Sequence, residues 1–162
     1  MNKPPSLPPP SPPASDLRLR FHADPLAVRA ALQQMIDGLG SHNLSPDELG
    51  TVELVLAEAL NNIVKHAYAA RCCGRDDLIE LRIKAQSGGV ICDISDQGVP
   101  MPGGRLPRGK TARADATVDT LPEGGFGWFL IHALAKDLTY RRDGPHNRLH
   151  FRLARAARAR VS

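Results

Sequence analysis

Aromatic side chains are scarce in this chain: Phe, Tyr and Trp make up only 4% of its 162 residues. Few flat platforms are therefore available for stacking nucleobases, and the net charge of +4 is not by itself a nucleic-acid signature; direct nucleic-acid binding is not expected. Cysteine is also rare. Cys72 and Cys73 are adjacent and Cys92 is distant, which is neither a disulfide framework nor a zinc spacing, so reduced thiols are expected. The six histidines show no paired ligand spacing, and no structural metal is expected. No apolar run approaches the ~20 residues of a membrane span, and the N-terminus lacks the apolar core of a signal peptide. The expected location is the cytoplasm, with no membrane partner. The length suits one domain and is short for two.

Proline is abundant in one place. Met1 to Ser15 hold half of the fourteen prolines and almost no large apolar residue, so residues 1–15 read as a disordered or polyproline-like extension. An ordered domain is expected over residues 16–154, followed by a basic tail over 155–162. The basic excess concentrates in the C-terminal Arg152, Arg155, Arg158 and Arg160, read as a solvated, frayed end, and in a loop carrying Arg105, Arg108, Lys110 and Arg113.

Within the domain the period of apolar residues changes several times. Leu17, Leu19 and Phe21 alternate with Arg18, Arg20 and His22 as in a strand covered on one face. Asp24-Pro25 supplies a cap and first-turn proline for a helix through Val28, Ala31, Leu32 and Met35, ended by Gly38-Leu39-Gly40. Ser45-Pro46-Asp47-Glu48 forms a capping box opening a long helix to about Ala70. Ile79, Leu81, Ile83 and Ala85 alternate, Ser87-Gly88-Gly89 turns the chain, and Val90, Cys92 and Ile94 carry the return strand. A polar segment from Val99 to Glu123 has no sustained period, as in a lid or insertion. The apolar run after Gly127 reads as a buried helix, and Leu138, Tyr140, Leu149, Phe151 and Leu153 make a closing hairpin. The order is strand, helix, helix, two strands, lid, helix, two strands. It implies an α/β two-layer sandwich: a mixed, mainly antiparallel sheet with helices on one face.

Three groups of residues carry candidate chemistry. Glu58, Asn62 and His66 are spaced by four, so they climb one strip along the edge of the apolar stripe of the long helix. Half-shielded oxygen ligands suit magnesium bound to phosphates, which takes one or two protein groups and completes its shell with water. Asp96 at a strand end can accept from the exocyclic amine of adenine, and Gly98 would let a flat base approach the backbone. Gly125 and Gly127, on either side of Phe126, leave N–H groups at a helix start for phosphate. A solvated helix face, a common turn and a chance glycine pair would each explain one group alone; their joint order is far more specific.

Glu58-x-x-x-Asn62-x-x-x-His66-Ala67-Tyr68, Asp96-Gln97-Gly98 and Gly125-Phe126-Gly127-Trp128 resemble the N, G1 and G2 boxes of the GHKL ATPase superfamily. The similarity runs in order from Leu17 to Leu153, and the ending Asn147-x-Leu149-x-Phe151 is similar to the bacterial anti-sigma factor serine/threonine kinases. The resemblance implies a Bergerat-type fold that binds ATP and Mg2+. Asn62 would be the magnesium ligand and Glu58 the general base, with Asp96 and Gly98 at the adenine. Gly125, Phe126 and Gly127 would lie at the lid hinge, His66 in support, and Arg105, Arg108 and Lys110 over the phosphates. The implied substrate is a STAS-type anti-sigma factor antagonist, with a sigma factor as second partner, a homodimer as the assembly and Arg29 as a docking residue. One position departs from the superfamily pattern, where Gly98-Val99-Pro100 lacks a second glycine. A non-catalytic ATP-dependent binding module with another partner remains the alternative.

Overall fold

A computed structural model describes residues 15–68, 77–108 and 126–155. The expectations for the proline-rich leader, Cys72, Cys73, Lys110, Arg113, Gly125, Arg158 and Arg160 lie outside these residues. The described elements follow the expected order: β1 (Ser15–His22), α1 (Pro25–Leu39), α2 (Pro46–Asn62), β2 (Leu78–Gln86), β3 (Gly89–Asp96), α3 (Phe126–Leu134), β4 (Lys136–Asp143) and β5 (His146–Ala154). Asp24 Oδ1 accepts from the N–H of Ala27 at 2.8 Å to cap α1. At α2 both arms of the capping box form, Glu48 N–H to Ser45 Oγ at 3.1 Å and Ser45 N–H to Glu48 Oε2 at 2.8 Å.

The long helix departs from expectation at its end. Its α-helical part stops at Asn62, and Ile63–Ala67 form a π-helical turn. Ala67 O there accepts from Val99 N–H at 2.9 Å, so the loop after β3 docks on the helix end. Single π turns inside helices occur often at functional sites.

The strands form one sheet in the order β1-β2-β3-β5-β4. Every pairing among them is antiparallel, so the sandwich has the expected layers without the parallel pair of a mixed sheet. Period-two alternation sends Ile79, Leu81 and Ile83 of β2, Val90, Cys92 and Ile94 of β3, and Leu149, Phe151 and Leu153 of β5 to one buried face. Val28, Ala31, Met35 and Leu39 of α1 and Val52, Val55, Leu56, Ala59 and Leu60 of α2 cover it. The Cys92 thiol, fully enclosed in this layer, is held well above the usual thiol range by desolvation.

The other face of the sheet is polar. Register aligns Arg20, Glu80, Ser95, Arg148 and Arg141 in one row across it, Arg18, Arg82, Asp93, His150 and Thr139 in the next, and Asp16, Lys84, Ile91, Arg152 and Lys136 in a third. Eight of these residues are Lys or Arg and three are Asp or Glu, an excess of five against a chain net charge of +4. Arg152, expected in a frayed end, belongs to β5 and pairs with Asp137 at 2.9 Å. Arg155 also differs from a free tail: it reaches Glu48 and the carbonyl of Asn43. Among the described residues, no helix is long and apolar enough to cross a membrane.

Candidate functional site

A cavity of about 370 Å3 opens on the helix side of the sheet, within the size range of small-molecule sites. Asn62 walls it from the end of α2, Ile63 and His66 from the π turn, Asp96, Val99 and Met101 from β3 and the following loop, Trp128 from α3, and Tyr140, Asn147 and Leu149 from β4 and β5. Residues far apart in sequence thus meet at one place: Asn62, His66 and Asp96 share the cavity. A larger hollow, about 700 Å3, lies on the opposite, polar face of the sheet and contains none of them.

Asp96 ends β3 on its buried side and is 5% exposed. Desolvation raises its pKa, partly opposed by hydrogen bonds from Asn147 and the Gly98 N–H and by the charges of Arg142 and His146. Both hydrogen bonds, from Gly98 N–H and from Asn147 Nδ2, fall on Oδ1 at 2.8 Å. Among the described residues no hydrogen bond falls on Oδ2.

Asn147, 4% exposed, is the main residue that sequence reasoning left without a role. Its Oδ1 accepts from the Tyr140 hydroxyl at 2.7 Å and from Arg142 Nη1 at 2.8 Å. Its Nδ2, besides holding Asp96, donates to Gly98 O at 3.2 Å. Arg142 Nη1 also donates to Gly98 O at 2.9 Å, and the Tyr140 hydroxyl accepts from Met101 N–H at 3.0 Å. Three side chains from the closing hairpin therefore clamp the loop from Asp96 to Met101. The visible signal was a polar residue in the buried register of Asn147, Leu149, Phe151 and Leu153.

Packing of the loop also calls for glycine at position 98. A Cβ there would stand 2.5 Å from Ala67 Cβ and 2.7 Å from Ala67 O, and Gly98 does not line the cavity. Its missing side chain lets the loop close onto the π turn. Gly127, in the first turn of α3, faces the strip on α2: a Cβ there would lie 2.4 Å from Glu58 Oε2, which the flexible Glu58 side chain could relieve by moving, and 3.5 Å from Asn62 Nδ2. Glu58 and Asn62 thus both face Gly127, with Glu58 half-buried and outside the cavity lining, one turn behind Asn62.

The Asn62 side-chain nitrogen is buried with no hydrogen-bond partner among the described residues. Amide orientation is assigned by the hydrogen-bond network, and here none fixes it, so the side-chain oxygen can equally face the cavity. A carboxamide oxygen beside a carboxylate suits a hard divalent cation bound mostly by phosphate and water. No group of three or more His, Cys, Asp or Glu among the described residues offers a protein-only cage.

The remaining candidates fall at the margin. His66 is exposed at the cavity wall, Phe126 is exposed at the start of α3 and stacks at a tilt on Phe129, and Arg105, Arg108 and Arg29 are exposed away from the lining. Pro102 and Pro107 of the lid segment do line the cavity, and His132 Nε2 of α3 donates to Pro107 O at 2.8 Å.

Residues 21–153 match the family model described as the histidine kinase-like ATPase domain. In fold the chain is similar to the crystal structure of the RsbU and RsbW domains of Rv1364c from Mycobacterium tuberculosis, with a TM-score of 0.59 and 15% identity. That similarity covers 91% of this chain and 34% of the other, so the chain spans about a third of the length of the chain it matches. No curated protein sequence matches it.

Proposed function

Because the chain belongs to the histidine kinase-like ATPase family, we propose that its cavity binds Mg-ATP and that it phosphorylates a serine or threonine of a STAS-type anti-sigma factor antagonist, sequestering a sigma factor in the alternate state. The observation that carries the reading is Asp96: buried, fixed through Oδ1 and open through Oδ2, it faces the same cavity as the unpartnered amide of Asn62.

Asp96 Oδ2 accepts from the exocyclic amine of adenine, a donor that guanine lacks at the equivalent position. Ile63, Met101, Trp128 and Leu149 supply apolar walls for the base. The first turn of α3 presents N–H groups and the positive end of its dipole to the phosphates, and Gly127 keeps that turn against Glu58 and Asn62. Asn62 would hold the magnesium through its carboxamide oxygen. Bound there with the nucleotide, the ion supplies neutralisation of charge developing on the phosphate oxygens. Glu58 takes the proton of the substrate hydroxyl as that oxygen bonds to the γ-phosphorus; the bond to the β-phosphate bridging oxygen breaks and its electron pair leaves on ADP.

The test is transfer from γ-labelled ATP to a purified STAS-type protein encoded beside this chain. Wild type is expected to label it, and Glu58→Gln to bind Mg-ATP with near-wild-type affinity while labelling falls at least about a hundredfold. Binding of ATP with no transfer by wild type would sink the kinase reading and leave the non-catalytic binding module. Equal rates for the two proteins would remove Glu58 from the role of base.

A further inference from the structure

The polar face of the sheet lies across the strand layer from the cavity; its three rows hold eight Lys or Arg against three Asp or Glu, and Asp137 and Asp143 at its margin pair with Arg152 and Arg148. Only strand residues line its 700 Å3 hollow, and no described helix residue reaches it. Its cations are partly arranged in advance. Asp16 accepts from Arg82 at 2.7 and 2.8 Å and from Arg18 at 3.2 Å, and the two guanidinium groups hold its carboxyl well below the usual range. Arg141 has no acidic partner among the described residues, and Arg148 meets only the exposed Asp143 at 3.8 Å. We propose that this face docks an acidic protein surface, and that it does so independently of the nucleotide cavity.

Three features select that occupant. No Phe, Tyr or Trp stands in the three rows, so a single-stranded nucleic acid finds no base platform. Each row also contains a carboxylate: Glu80 and Asp93 occupy the central strands, and Asp16 sits at the edge. A continuous phosphate backbone would run over one of them, whereas an acidic protein surface can place a base opposite each. A second copy of the same face would set its own excess of cations against this one. Strand spacing and rise give the face roughly 600 Å2, near what one partner contributes to a stable interface.

The experiment measures fluorescence anisotropy of a labelled 20-residue Glu/Asp-rich peptide and of a 20-base-pair DNA duplex against the full chain, with ATP affinity measured in parallel. Arg141→Gln with Arg148→Gln is expected to weaken the peptide about tenfold, and Gln33→Glu with Gln34→Glu, the same change in net charge placed on exposed positions of α1, by less than about twofold. ATP affinity should be the same in all three proteins; failure of wild type to bind ATP would count against the cavity reading alone. Equal loss in both variants would reduce the effect to bulk charge and overturn the docking face. Tighter binding of the duplex than of the peptide, lost in the same Arg variant, would make the face a nucleic-acid surface. A wild-type dimer in sedimentation that this variant dissociates would make it an interface between copies.

Discussion

Gly98→Ala separates two physical roles for one residue. The Gly98 backbone is not in the left-handed region, so alanine meets no φ penalty and the cost is steric. The new methyl would stand 2.5 Å from Ala67 Cβ, 2.7 Å from Ala67 O and 3.0 Å from Ala67 C, where ordinary contact begins at 3.4 Å. Relief requires the loop to withdraw by about 1 Å, typical of overpacking that costs about 1–3 kcal/mol. That movement also stretches the Val99 N–H to Ala67 O bond and pulls on Gly98 N–H at Asp96 and Gly98 O at Arg142. Losing one such bond adds about 1 kcal/mol, so the expected loss of stability is about 2–4 kcal/mol, a large share of a typical ~5–15 kcal/mol.

Trp128 makes the measurement direct. It is the chain's single tryptophan, buried and in the cavity wall, so its fluorescence follows both urea unfolding and nucleotide binding. Gly98→Ala should lower the urea midpoint and weaken ATP together. Adding Ala67→Gly removes the methyl contact and leaves the carbonyl contact at 2.7 Å, so it should restore less than half of the loss. A variant as stable as wild type within about 0.5 kcal/mol that no longer binds ATP would refute this reasoning and return Gly98 to the role of admitting the base.

Asn62→Ala should leave the apo protein as stable or slightly more stable, because it removes a buried unpartnered group, while magnesium-dependent ATP affinity falls at least about tenfold in calorimetry; lost stability with unchanged magnesium dependence would exclude the ligand role. Tyr140→Phe takes the donor from Asn147 Oδ1 and the acceptor from Met101 N–H, for an expected loss of about 1–3 kcal/mol in thermal or urea unfolding; an unchanged midpoint would mean that the clamp does not bear on stability. Burial raises the pKa of Asp96 above 3.8, so its contribution to stability is complete below that pH and is lost as pH rises through the raised folded value. The stability of wild type minus that of Asp96→Asn should therefore decline as pH increases above 3.8; a rising difference would mean that Arg142 and the two hydrogen bonds outweigh burial.

Much of the site was legible because its signals are local. Ser45 and Glu48 are three residues apart and satisfy each other, and Glu58 and Asn62 share a helix face whatever else the chain does. Residues joined through the sheet were harder to see. Asn147 stands in a buried register, yet its partner Asp96 lies 51 positions earlier, and only the β3–β5 pairing brings them together. The π turn at Ile63–Ala67 has no mark in its own letters; it occurs where Ala67 O meets the loop after β3. Gly98 was legible as a glycine that something approaches closely, and only packing shows that Ala67 does so.

Charge was the least legible property, for a geometric reason. Linear reading finds basic clusters where cations are near in sequence, and it therefore found the tail and the lid. In β-strands, alternate positions share a face, so Arg18 and Arg20 or Lys84 and Arg82 never form a run; each is separated by an apolar residue that faces the core. Antiparallel pairing then sets five such strands side by side, with Arg20 and Arg148 in one row although 128 positions separate them in the chain. The same alternation that hides the cations in sequence guarantees that they cannot turn inward: a shift of one residue would bury Arg18, Arg82 and Arg148 and expose Leu19, Leu81 and Leu149. The hydrophobic register that builds the cavity on one side thus fixes the charged surface on the other. Substitutions on the charged face can consequently change docking while the cavity and the core keep their geometry.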